Sequence, residues 1–118
     1  MTTAALRIEN LLEHVIKNKA SDLHLQVGLS PMLRVDGRLA PIADTPLLTE
    51  AQVETLIFAL LDADQKAVLL KDKEFDFSFA FGELGRFRVN AFHERGNLAA
   101  ALRLIPNEIL TAEQLGLP

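Results

Sequence analysis

Residues 85–105 read Gly85-Arg86-Phe87-Arg88-Val89-Asn90-Ala91-Phe92-His93-Glu94-Arg95-Gly96-Asn97-Leu98-Ala99-Ala100-Ala101-Leu102-Arg103-Leu104-Ile105. Two alternating runs flank a glycine-containing break, which predicts a β-hairpin turning at Arg95-Gly96. If Glu94 faces Asn97, then His93 meets Leu98, Ala91 meets Ala100, Val89 meets Leu102 and Phe87 meets Leu104. These pairs form one nearly apolar face. The other face carries Phe92 with Ala99, Asn90 with Ala101, and Arg88 directly opposite Arg103, with Arg86 continuing the row. A slip of one residue mixes the two faces, so the pattern favours this register. Like charges facing each other cost a sheet a few tenths to about 1 kcal/mol. The offset can come from an acidic side chain of the same domain, from an external anion, or from solvent. Asp76 is the nearest carboxylate in sequence, provided its strand neighbours the hairpin.

Moving upstream, Phe75, Phe77, Phe79 and Phe81 alternate with small or polar residues. That period of two predicts a strand whose aromatic face enters the core. Before it, Thr49 with Gln52 and Asp62 with Gln65 have capping-box spacing and open two helices, the second running to about Lys71. Val53, Leu56, Ile57, Leu60 and Leu61 give an apolar stripe at the helical period. Asp36-Gly37 marks a hairpin between short strands at 32–35 and 38–42. Asp22 to Val27 alternates, with Leu23, Leu25 and Val27 on one side and Asp22, His24 and Gln26 on the other. Ile8, Leu11, Leu12, Val15 and Ile16 define a first helix, with Thr2 or Thr3 placed to cap it, and Thr111 with Gln114 predicts a short C-terminal helix. The chain therefore reads as one α+β domain in the order α-β-β-β-α-α-β-β-β, with a mainly antiparallel sheet.

The 118 residues suffice for one core, and the absence of cysteine excludes disulfides, thiolate metal sites and a Cys nucleophile. A net charge of -4, with neither Trp nor Tyr, argues against a nucleic-acid partner. The last 34 residues differ from the rest: their cations are Arg86, Arg88, Arg95 and Arg103, and none is lysine. Arginine's planar fork suits carboxylate and phosphate oxygens. No lysine is followed by Ser or Thr, so the phosphate-cradling P-loop is missing from this sequence. His14, His24 and His93 lack metal-ligand spacing, and no set of residues has a catalytic arrangement. No apolar run reaches the length of a membrane span.

Several segments, in order, carry a resemblance: Ala20-Ser21-Asp22-Leu23-His24-Leu25, Pro31-Met32-Leu33-Arg34-Val35-Asp36-Gly37, Asp76-Phe77-Ser78-Phe79, Gly85-Arg86-Phe87-Arg88-Val89-Asn90-Ala91-Phe92, Leu102-Arg103-Leu104-Ile105-Pro106 and Leu110-Thr111-Ala112-Glu113-Gln114-Leu115-Gly116. Together they resemble the N-terminal domain of the PilT-like type IV pilus retraction ATPases. These are secretion ATPases related to PilU and the type II secretion E proteins. The resemblance implies that residues 1–118 form a PAS-like N-terminal domain, and that the RecA-like P-loop domain is absent from this chain. It implies a cytoplasmic homo-hexamer, peripheral to the inner membrane and working against the pilus platform in twitching motility. ATP and Mg would be cofactors of the full-length parent and not of this chain. The N-terminal domain would pack on RecA-like domains of its own and neighbouring subunits. By motif match, Arg88 and Arg103 would contact the nucleotide phosphates, with Arg86 and Asn90 in support. Two other uses stay open here: a PAS-like small-molecule sensor and a pure protein-interaction module. Asp22 and His24 lie in a recognisable motif without an assigned chemistry.

Overall fold

The computed structural model describes residues 7–105 other than Leu84. The elements run α1 (Ile8–Lys17), β1 (Asp22–Gln26), β2 (Met32–Val35), β3 (Arg38–Pro41), α2 (Glu50–Phe58), α3 (Ala63–Asp72), β4 (Glu74–Phe81), β5 (Gly85–Glu94) and β6 (Asn97–Ile105). This is the predicted order. The helix predicted from Thr111 lies outside the described residues, as do Thr2 and Thr3. The start of α1 differs from the cap expected there: Arg7 occupies the N-cap position and makes no side-chain cap bond. What holds α1 is its apolar stripe, with Ile8, Leu11, Leu12 and Val15 buried.

The two internal capping boxes form as their spacing predicts. Thr49 Oγ1 accepts from the Gln52 amide while Gln52 Oε1 accepts from the Thr49 amide, and Asp62 and Gln65 do the same for α3. Each such cap is worth about 1 kcal/mol. α3 stops at Lys73, whose φ of 69° turns the chain directly into β4.

All six strands form one antiparallel sheet in the order β3-β2-β1-β6-β5-β4. It consists of two meanders, β1-β2-β3 and β4-β5-β6, joined along the β1–β6 seam. Both two-residue turns, Asp36-Gly37 (φ 53° and 82°) and Arg95-Gly96 (φ 55° and 83°), are left-handed at each position. That conformation matches the twist of the strands, and glycine is the residue that adopts it without strain at the second site.

One face of the sheet, including Leu23, Leu25, Leu33, Phe87, Val89, Ala91, Leu98, Ala100 and Leu102, shares a single buried cluster with the stripes of α1, α2 and α3. Phe75, Phe77, Phe79 and Phe81 pack against its margin and are half-buried. Their rings stack along the strand, with centroids 5.6 Å apart for Phe75–Phe77 and 6.2 Å for Phe77–Phe79. The aromatic stripe thus forms one strand face, as its period of two predicts, but it lies at the edge of the core and not within it, because β4 is an edge strand of the sheet. The opposite face of the sheet carries the polar residues of the site.

Candidate functional site

The hairpin register is the predicted one, pair for pair: His93 meets Leu98, Ala91 meets Ala100, Val89 meets Leu102, Phe87 meets Leu104, and Arg88 lies opposite Arg103. Alternation then sends both guanidinium groups to the face opposite the helices. The β1–β6 pairing sets Asp22 across from Arg103, and the β1–β2 pairing sets Arg34 across from Asp22. One rung of the sheet therefore reads Leu39, Arg34, Asp22, Arg103, Arg88, Ser78 from edge to edge.

The carboxylate beside the arginines is Asp22, not Asp76. Asp76 pairs with Asn90 one rung away, where the Asn90 side-chain amide donates to its Oδ1. Asp22 is the one buried charged residue among those described, with its side chain 9% exposed. Arg103 Nε donates to Asp22 Oδ2 at 3.4 Å, Arg34 Nε stands 4.0 Å from Oδ1, and Ser21 Oγ donates to Oδ1 at 2.5 Å. Burying a carboxylate is costly unless it is paired, and here two cations and a hydroxyl surround it.

The arginines are used unequally. Arg103 engages Asp22 through Nε alone, and its side chain is 70% exposed, so its terminal nitrogens face solvent. Arg34 also donates from Nη1 to the Gly37 carbonyl at 3.2 Å. Arg86 donates to Ser78 Oγ at 3.1 Å. Arg88 is exposed and, among the described residues, its side chain has no hydrogen bond or ion pair. The rung holds three cations and one anion, so Asp22 only partly offsets the facing arginines. The remaining positive charge projects from the Arg103–Arg88 pair, beside small Ala101 on the neighbouring rung.

Asn90, expected to support the arginines, shares their face but is committed to Asp76. His24 lies on the same face between Met32 and Ala101. Its Nε2 is buried and has no hydrogen-bond partner among the described residues. Burial lowers its pKa from the ordinary 6.5; Asp22 opposes that shift and Arg34 adds to it.

No protein-family model matches the chain. Known proteins do. The chain is 43% identical over 110 residues to the type IV pilus retraction ATPase PilT of Pseudomonas aeruginosa, covering 93% of this chain and 32% of that protein. The type IV pilus ATPase PilU of the same organism is 34% identical over 113 residues, covering 96% of this chain and 29% of PilU. The crystal structure of the pilus retraction motor PilT with bound ADP superposes with a TM-score of 0.83 at 37% identity, over 96% of this chain and 33% of that one. By sequence and by fold this is a PilT-like N-terminal domain. The chain spans about a third of the length of the curated relatives it matches. Across the PilT-like domain, the feature sequence reasoning missed is the Arg34–Asp22 half of the rung. Its signal was alternation alone, which puts Asp22 on the polar side of β1 but does not say which strand lies beside it.

Proposed function

We propose that this chain is the nucleotide-contacting N-terminal domain of a hexameric type IV pilus retraction ATPase. In this reading Arg88 and Arg103 reach the phosphates of a nucleotide held by a RecA-like P-loop domain. The pairing of these two guanidinium groups on the sheet face opposite the helices carries the reading. The relatives' names and the ADP in the PilT crystal structure support it. The residues present fit a phosphate group: Arg88 has all its donors free among the described residues, and Arg103 keeps its terminal nitrogens outward. A nucleotide with its Mg would supply the scissile phosphoanhydride bond. The domain's own contribution is a fixed pair of positive charges that stabilises charge gathering on the phosphate oxygens. Asp22 holds one of the pair in place and leaves the other free to move onto its ligand. The motor would work in the cytoplasm against the pilus platform of the inner membrane, with neighbouring RecA-like domains as the surfaces this domain packs on.

The test is made in the full-length parent. Arg88→Ala and Arg103→Ala should each lower kcat for ATP hydrolysis by roughly 10²-fold. Circular dichroism and ring size should stay unchanged, because neither side chain is part of the core. Wild-type rates in both variants would remove the phosphate role.

A further inference from the structure

The two edges of the sheet are built differently. β3 is four residues long and ends in Pro41, so it offers a neighbour little to pair with. β4 is eight residues long and contains neither proline nor lysine. Among the described residues only β5 pairs with it.

Which backbone groups of β4 point outward follows from two observations. The His93 amide donates to the Lys73 carbonyl at 3.1 Å, so Lys73 and His93 form a hydrogen-bonded pair. The tight turn at Arg95-Gly96 makes Glu94 and Asn97 a hydrogen-bonded pair, which commits the even residues of β5 to β6 and the odd ones to β4. Both lines give the same parity. Phe75, Phe77, Phe79 and Phe81 bond to β5, while the N–H and C=O of Glu74, Asp76, Ser78 and Ala80 point away from the sheet.

The side chains along this edge are self-complementary about Ser78. In an antiparallel pairing of two β4 strands with Ser78 facing Ser78, Phe77 of one copy meets Phe79 of the other and Phe75 meets Phe81. Asp76 meets Ala80, so no like charges face each other. The phenylalanine pairs fall at non-hydrogen-bonded positions, where facing side chains approach most closely. The hydrogen-bonded positions fall on Asp76, Ser78 and Ala80, whose backbone groups are the outward ones. A two-fold interface requires one patch to fit itself, and this strand does so in backbone and aromatic pattern at once.

We propose that β4 is a self-association edge: two copies of this chain pair antiparallel through Glu74–Phe81 about Ser78, joining their sheets into one. The proposal is independent of the phosphate reading. Sedimentation and light scattering across a concentration series should give a mass moving from 13.0 kDa toward twice that value. Amide exchange at Asp76, Ser78 and Ala80 should slow in step with dimer formation. Ser78→Pro removes an outward N–H, a change an edge strand tolerates, and should leave the chain monomeric. Ala80→Asp sets a carboxylate opposite Asp76 of the second copy, twice by symmetry, and should raise the dimer dissociation constant roughly three- to tenfold, whereas Ala80→Lys should lower it. If Ser78→Pro fails to fold, the two Ala80 variants decide alone. A chain that stays monomeric throughout the series overturns the proposal. So does a dimer that survives Ser78→Pro or ignores both Ala80 substitutions, since it must use another surface or another register.

Discussion

Asp22 lies at 6% exposure between two guanidinium groups, at the seam where the two meanders meet. Its carboxylate accepts from Ser21 Oγ and Arg103 Nε and stands 4.0 Å from Arg34 Nε. Asp22→Asn preserves size and the Ser21 bond but turns an amide donor toward an arginine donor. It should lower unfolding free energy by about 1–2 kcal/mol, the scale of a lost bond to a charged group. A urea midpoint equal to wild type would show that solvent already satisfies Arg103. His24, one alternation further along β1, gives a pH signature. Burial holds its pKa below the ordinary 6.5 against the pull of Asp22, and its Nε2 has no partner among the described residues. The folded state thus favours neutral imidazole while the unfolded state binds a proton more readily. Stability from this group is complete above pH 6.5 and is lost as pH falls from there toward the depressed folded value. In urea titrations at pH 7.5 and 5.5, His24→Met should show a smaller drop than wild type. Equal drops would place the pH dependence elsewhere.

At the scale of elements, what could be read from sequence was what is local. The β5–β6 register follows from a two-residue turn and a strict alternation, both contained in 21 residues, so sequence alone sets Arg88 opposite Arg103. The capping boxes at Thr49 and Asp62 are local in the same way. The Asp22–Arg103 contact joins residues 81 apart in the chain, and no periodicity in either strand specifies that β1 lies against β6. Sequence therefore nominated Asp76, a neighbour along the chain, for a place that Asp22 fills through topology. The Phe75–Phe81 stripe was legible as an aromatic face because its period is two. Its half-burial was not, because that follows from β4 being an edge strand, a property of sheet order. Sequence likewise left His24 without a role, since its isolation depends on Met32 and Ala101 arriving from other strands.

At the scale of the molecule, each meander is contiguous in sequence, and the crossover through α2 and α3 carries the chain from one to the other. Such a layout could in principle unfold in two steps, β1-β2-β3 apart from β4-β5-β6. The packing argues against that. Leu23 of β1 faces Leu102 of β6 across the seam, both at 0% exposure, and both belong to the cluster that also holds Leu11, Leu56 and Phe87. Neither meander keeps a dry apolar face without the other, and exposing one buried leucine costs about 1.5–3 kcal/mol. The domain should therefore unfold as one unit. Leu102→Ala should lower the stability of β2 and β4 amides together, by about 2–5 kcal/mol, in denaturant-dependent hydrogen exchange. If β4 lost protection while β2 kept its wild-type value, the seam would be a hinge between two folding units. The Asp22–Arg103 contact would then be a latch between them, and Asp22→Asn would separate their transitions further.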